Sequence, residues 1–191
     1  MPDTPVSSVF ASLHKGLLSI EAGGQHANWS LDTVIGHAVA KALIARKKGY
    51  RIMFIGNGGS AAIASHLAED FLKAGRFATM SFNDAAQLTC LANDLGYESV
   101  FRVPIERHGK AGDILFAISS SGKSENILSG ARAARAADME VITLSGFKPD
   151  NPLRRLGHLN FYVPSEEYGT VEVAHLAICH AILDRVVAAH E

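Results

Sequence analysis

Only two cysteines, Cys90 and Cys179, occur in the 191 residues, too few for a disulfide framework. Both lie in apolar, helix-like surroundings, which fits a reduced, cytoplasmic protein. Charge of either sign is in no excess: 18 Lys and Arg against 19 Asp and Glu leave a formal net charge of -1. That balance offers no pull towards a nucleic-acid backbone or a membrane surface, and neither is expected as a partner. No apolar run is long enough to span a bilayer. The start, Met1-Pro2-Asp3-Thr4-Pro5, has neither a basic segment nor an apolar one, so no signal peptide is expected. Internal repeats, low-complexity tracts and interdomain linkers are also missing.

Hydrophobic residues make up 48% of the chain, enough for a sizeable core, and the length fits one domain. Val6, Phe10, Leu13, Leu17 and Ile20 predict a helix over 6–22, ended by Gly23-Gly24. A second helix is predicted over 31–48, with Arg46-Lys47-Lys48 at its carboxyl end and Gly49 as its stop. From Arg51 short apolar runs alternate with helical patterns. Strands are predicted at 51–55, 78–82, 113–119, 140–145 and 159–163. Helices are predicted at 60–74, 84–94, 97–109, 123–137 and 169–189, with Pro104 limiting or kinking the third. Phe147–Arg155, with two prolines, reads as a surface loop. The alternation implies an α/β fold with a doubly wound parallel sheet. One domain over 1–191 is expected, with an N-terminal helical pair at 1–48 and an α/β sandwich at 49–191.

Two loops carry the chemistry. Gly56-Asn57-Gly58-Gly59-Ser60 sits between an apolar strand and a run of helix formers. Glycines let backbone approach a ligand, and the N–H groups of a following helix favour an anion. The second, Ser119-Ser120-Ser121-Gly122-Lys123-Ser124, gathers four hydroxyls and a glycine at another strand-to-helix turn. Hydroxyls and helix N–H groups are the parts of a neutral phosphate cradle. A helix cap alone needs one serine, not four. Gly122-Lys123-Ser124 ends like a nucleotide-binding P-loop, but the earlier glycine that motif needs would fall at Ala117, inside the strand. Gly56-x-Gly58-x-x-Ala61 fits a relaxed dinucleotide fingerprint, yet Phe77–Phe82 supplies no acid for a ribose.

With His66-x-x-Glu69-Asp70, Leu88-Thr89, Asn93-Asp94, Gly112-Asp113, Val163-Pro164-Ser165 and Glu172-x-x-His175-x-x-x-x-His180, these loops resemble the sugar isomerase (SIS) family, and within it the phosphoheptose isomerases. The resemblance spans most of the chain. It implies a flavodoxin-like fold, a five-stranded parallel sheet sandwiched by helices, and an N-terminal helical pair used in assembling a homotetramer. It implies isomerisation of sedoheptulose 7-phosphate to an aldoheptose 7-phosphate. Ser119, Ser121 and Ser124 would hold the phosphate, with Ser120 in the same loop. Asn57 and Ser60, with Gly58 and Gly59 beside them, and Asp94 would meet the sugar chain. Metal and acid/base positions would fall on His66, Asp70, Glu172 and His180. Three positions depart from the family: Asp70 replaces a glutamate, Glu172 a glutamine and Gly169 an aspartate.

Aldose–ketose isomerisation moves a proton between adjacent carbons through an enediol, and needs a base, an acid and a group for the developing oxyanion. Asp70 or Glu172 would be the base and His180 the acid. Two imidazoles and two carboxylates would suit a divalent metal such as zinc, polarising the carbonyl. Given the departures, His66 and Asp70 are expected to lean towards the metal and Glu172 to take the proton. Glu172 and His180 are eight residues apart, about 12 Å along a helix. Either that helix starts later than predicted or the site combines subunits. Two alternatives stand beside the heptose reading: a non-catalytic adaptor that binds a replication initiator, and an isomerase of another sugar phosphate.

Overall fold

A computed structural model describes residues 5–24 and 27–189. Met1–Thr4, part of the start considered above, lie outside the described residues. The chain opens with α1 (Val6–Leu18), which stops four residues earlier than the pattern predicts. Gly23 and Gly24 do not cap it. They belong to β1 (Glu21–Gly24), which pairs antiparallel with β2 (Asn28–Trp29). Both glycines are forced by close approach: a Cβ on Gly23 would lie 2.2 Å from the Ala27 carbonyl oxygen, and one on Gly24 2.8 Å from the Trp29 ring. Asn160 Nδ2 holds the two glycine carbonyls at 3.0 and 3.2 Å.

The helix α2 (Leu31–Lys48) keeps its predicted bounds. Ser30 accepts from Thr33 N at 3.2 Å at one end, and Gly49 takes φ +70° at the other. Then follow β3 (Arg51–Ile55), α3 (Gly59–Lys73), β4 (Ala78–Ser81) and α4 (Ala85–Leu95), the last capped by Asp84. The predicted helix 97–109 is a 3₁₀ turn followed by α5 (Arg102–His108). Pro104 sits in the first turn of α5, where its missing N–H costs nothing. The rest is β5 (Ile114–Ser119), α6 (Glu125–Ala136), β6 (Glu140–Ser145), β7 (Leu159–Tyr162) and α7 (Tyr168–Ala188).

Five strands form the expected parallel sheet, in the order β4-β3-β5-β6-β7. The antiparallel β1–β2 ribbon adds two strands beyond β7. Side chains alternate across the sheet. Ile52, Phe54, Phe116, Leu144 and Phe161 pack on α2, α3 and α7. Met53, Ile55, Leu115, Ala117 and Val141 pack on α5 and α6. The helix α2 is therefore a sheet-covering layer, with Val34, Ile35, Ala38, Ala42 and Ala45 buried. Strand order reverses between β3 and β5, and a crevice at the carboxyl ends of strands there is where open α/β sheets bind ligands. Among the described residues no helix is long and apolar enough to cross a membrane.

Candidate active site

The glycine loop leaves the end of β3 and the serine loop leaves the end of β5, so the reversal of strand order brings them side by side. They line a crevice of about 240 Å³. Its walls are Asn57, Gly58, Gly59 and Ser60 on one side, and Ser119, Ser120, Ser121 and Ser124 on the other; Tyr168 and Glu172 of α7 complete it. A separate cleft of about 400 Å³ opens at the opposite end of the strands, between Lys41, Tyr50 and Glu140. No candidate residue reaches it, and Lys41 already pairs with Glu140 at 2.8 Å.

Gly58 has φ +54° and precedes α3 without any side-chain cap. Only glycine takes that backbone without strain. Gly59 is needed for a second reason: a Cβ there would stand 2.4 Å from Glu172 Oε2. The carboxylate of Glu172 thus lies directly on the glycine loop. Ser124 begins α6 but makes no side-chain cap bond, unlike Ser30 and Asp84. Its hydroxyl is not spent on the helix. Ser120 Oγ is buried and bonds to nothing among the described residues. Buried hydroxyls normally have partners, so an unpaired one lining a crevice suits a ligand oxygen. Ser119 Oγ accepts from Gly122 N at 3.2 Å.

The serine loop is held from behind by residues that the sequence pattern concealed. Phe147–Arg155 is no simple surface loop, because Asn151 and Leu153 within it are buried. Asn151 Nδ2 donates to Ser145 Oγ at 3.1 Å, and its Oδ1 accepts from Arg154 N at 3.0 Å. Gly122, at φ +63°, packs so tightly on Asn151 that a Cβ would sit 2.0 Å from Oδ1. Nothing in the sequence flags Asn151, or Tyr168 in the crevice wall, since their roles depend on contacts between distant segments.

A second cluster lies between α3 and α7. His66 Nε2 is 3.2 Å from Asp70 Oδ2, and His180 Nε2 is 3.9 Å from the same oxygen. One ligand atom from each of the three lies within 4.8 Å of the others. Two ligands on a tetrahedral zinc stand about 3.3 Å apart, given bonds near 2.0 Å, so these donors fit a divalent ion with little movement. Among the described residues this is a group able to hold a metal. Glu172 is not in it. The helix α7 runs unbroken from Tyr168 to Ala188, which removes the later start considered above and keeps Glu172 two turns from His180. Asp94, exposed on α4, does not line the crevice; its carboxylate takes Asn93 Nδ2 at 2.8 Å. His175 is fully buried and faces away, with Nε2 3.2 Å from the Ser145 carbonyl. Burial lowers its pKa to about 4. Cys179 is buried, whereas Cys90 is exposed on α4, beside Leu91, Val103 and Pro104.

Comparison with known proteins points to one family. A family described as the SIS domain matches residues 25–146. The chain is similar to the phosphoheptose isomerase of Klebsiella pneumoniae subsp. pneumoniae, 34% identical over 173 residues, covering 85% of this chain and 89% of that one. It is 36% identical over 155 residues to the phosphoheptose isomerase of Pelobacter propionicus, covering 77% and 80%. Its fold matches the solved phosphoheptose isomerase of Neisseria gonorrhoeae with a TM-score of 0.81 and 28% identity, over 95% of this chain and 97% of that one.

Proposed function

Since the chain belongs to the SIS-domain family and, within it, to the phosphoheptose isomerases, we propose that its crevice interconverts sedoheptulose 7-phosphate and D-glycero-D-manno-heptose 7-phosphate. The observation that carries this reading is the meeting of the glycine loop, the serine loop and Glu172 at the reversal of strand order. Ser119, Ser120, Ser121 and Ser124 hold the phosphate with the N–H groups of the first turn of α6. Asn57, Gly58, Gly59 and Ser60 hold the sugar chain. Asp94 lies outside the crevice, so it would meet the sugar only from a neighbouring subunit.

Glu172 takes the proton from the carbon beside the carbonyl and returns it to the old carbonyl carbon, passing through an enediol, while the hydroxyl proton of the first carbon passes to the old carbonyl oxygen. Its place on the glycine loop, apart from the three-residue cluster, supports that role. His66, Asp70 and His180 would hold a divalent ion, with zinc the best match to two imidazoles and a carboxylate. Such an ion, when bound, polarises the sugar carbonyl. In its absence Asp70 and His180 remain as an acid/base pair. Aspartate is shorter than the glutamate of the family by about 1.5 Å, which draws Asp70 back towards His66. Because Glu172 and His180 stand two turns apart on one helix, one sugar carbon meets both only where subunits adjoin. We therefore propose a homotetramer. Two free cysteines suit a cytoplasmic setting.

Turnover of sedoheptulose 7-phosphate in deuterated water, with metal analysis, tests the whole assignment. Asp70→Asn should lower metal content and turnover together. Glu172→Gln should keep the metal and lose deuterium incorporation, by at least about 100-fold as expected for a removed general base. Normal exchange in Glu172→Gln would return the base to Asp70, and no turnover by the unaltered protein would sink the isomerase reading.

A further inference from the structure

Asn57 forms part of the wall between two clefts. One is the crevice of the proposed active site; the other lies behind it, against Tyr97 and Asn126. Across this wall the two asparagines exchange a pair of hydrogen bonds. Asn57 Nδ2 donates to Asn126 Oδ1 at 2.9 Å, and Asn126 Nδ2 donates to Asn57 Oδ1 at 2.8 Å. The ring of two amides ties the glycine loop to the first turn of α6. Its polarity is fixed from outside. The Ile127 backbone N–H, which also bonds the Ser124 carbonyl, donates to Asn126 Oδ1 at 3.0 Å. A backbone N–H can only donate, so the atom it faces is the oxygen. With that end set, Asn126 Nδ2 must meet Asn57 Oδ1. Tyr97 adds a second donor to the same oxygen, at 3.2 Å.

An asparagine amide has two N–H donors and two acceptor lone pairs. Both lone pairs of Asn57 are used, by Asn126 and by Tyr97. One of its N–H groups is used, by Asn126. A single N–H remains for the crevice. We infer that Asn126 is a positioning residue that turns Asn57 into a dedicated donor, so that Asn57 recognises an acceptor oxygen of the ligand and not a hydroxyl hydrogen. The inference rests on the isomerase reading, in which the phosphosugar offers such oxygens on its hydroxyls, its carbonyl and its phosphate. Asn126 is 3% exposed and touches the ligand crevice only through Asn57, so its effect is transmitted and not direct.

Asn126→Asp is the discriminating change. It keeps the size and the acceptor for Ile127, but sets a second oxygen against Asn57 Oδ1, which then turns its carbonyl towards the crevice. The expected result is a fall in kcat/KM of about tenfold for sedoheptulose 7-phosphate, the loss of one hydrogen bond to a ligand. A rise in KM with kcat held assigns the oxygen to a part of the ligand that does not react, a sugar hydroxyl or the phosphate; a fall in kcat assigns it to the carbonyl, where charge grows during the reaction. A folded Asn126→Asp protein with kcat/KM within twofold of the unaltered one overturns the inference. Should that variant not fold, side-chain amide exchange in the unaltered, ligand-free protein decides, read by nuclear magnetic resonance with ¹⁵N-asparagine. Slow exchange at Asn57 is expected, and exchange at the rate of a free amide overturns the inference. Because this measurement uses no substrate, protection at Asn57 without any turnover would leave the amide lock standing and remove the isomerase reading alone.

Discussion

His175 sits in the middle of α7 with no exposed surface, and its imidazole is held neutral there. Nε2–H donates to the Ser145 carbonyl, while Nδ1 bonds to nothing among the described residues. Burial lowers the folded pKa to about 4 from an ordinary value of 6.5. Between those values the unfolded chain binds the extra proton and the folded one does not. Stability from this group is therefore complete above about pH 6.5 and is lost as pH falls towards 4. From pH 7.5 to 5 the loss should be about 2 kcal/mol, using about 1.4 kcal/mol per pK unit. Urea unfolding at both pH values, at one protein concentration, should show that drop shrinking in His175→Gln. An unchanged drop in the variant would show that other groups cause it. At 100° per residue the five steps from His175 to His180 turn the two side chains about 140° apart, but the burial of His175 and its partner on β6 come from packing that no local pattern encodes.

Elements meet at the serine loop, where the left-handed Gly122 leans on Asn151. Gly122→Ala should cost at least about 1–2 kcal/mol for the backbone alone, with more for displacing Asn151 from its bonds. Phosphosugar binding by calorimetry should weaken with it. Gly36→Ala is the matched control, since nothing lies within 4 Å of a Cβ at Gly36 in α2. It should stabilise the helix by about 0.5–1 kcal/mol. Equal effects of the two changes would mean that the loop does not depend on Gly122. Elements with strong local signals were legible in sequence: α2 with its basic end and glycine stop, the five apolar strands, and the two ligand loops. The β1–β2 ribbon was not, because two glycines after a helical pattern read as a stop and form a strand here with their carbonyls held by Asn160. Asn151 was hidden for the same reason, as prolines around it signal a loop and its burial is tertiary.

At the scale of the molecule, α1 is bound on one side only. Gly16 packs on Thr170, and a Cβ there would lie 2.5 Å from its methyl group, while Leu17 and Ile20 cover Val163, Val171 and Ala174. Val6, Val9 and Phe10 remain 60–70% exposed. That apolar strip is the surface that the proposed tetramer would cover. Light scattering at micromolar concentration should give four times the chain mass of 20.4 kDa, and Val9→Glu with Phe10→Glu should reduce it. A monomer in the unaltered protein would sink the proposed tetramer and the sharing of sites between subunits.

The ribbon beside β7 bears on how the protein behaves when crowded. Without it, the four residues of β7 would end the sheet and present an open ladder of N–H and C=O groups. With it, the last strand on that side is β2, two residues long, Asn28 and Trp29. Two residues template little, and strands of other chains gain few bonds by adding there. Trp29 lies over Gly24 and helps to keep the ribbon folded back on the sheet. The stretch that cost the first helix its last turn therefore acts as a guard against edge-to-edge aggregation.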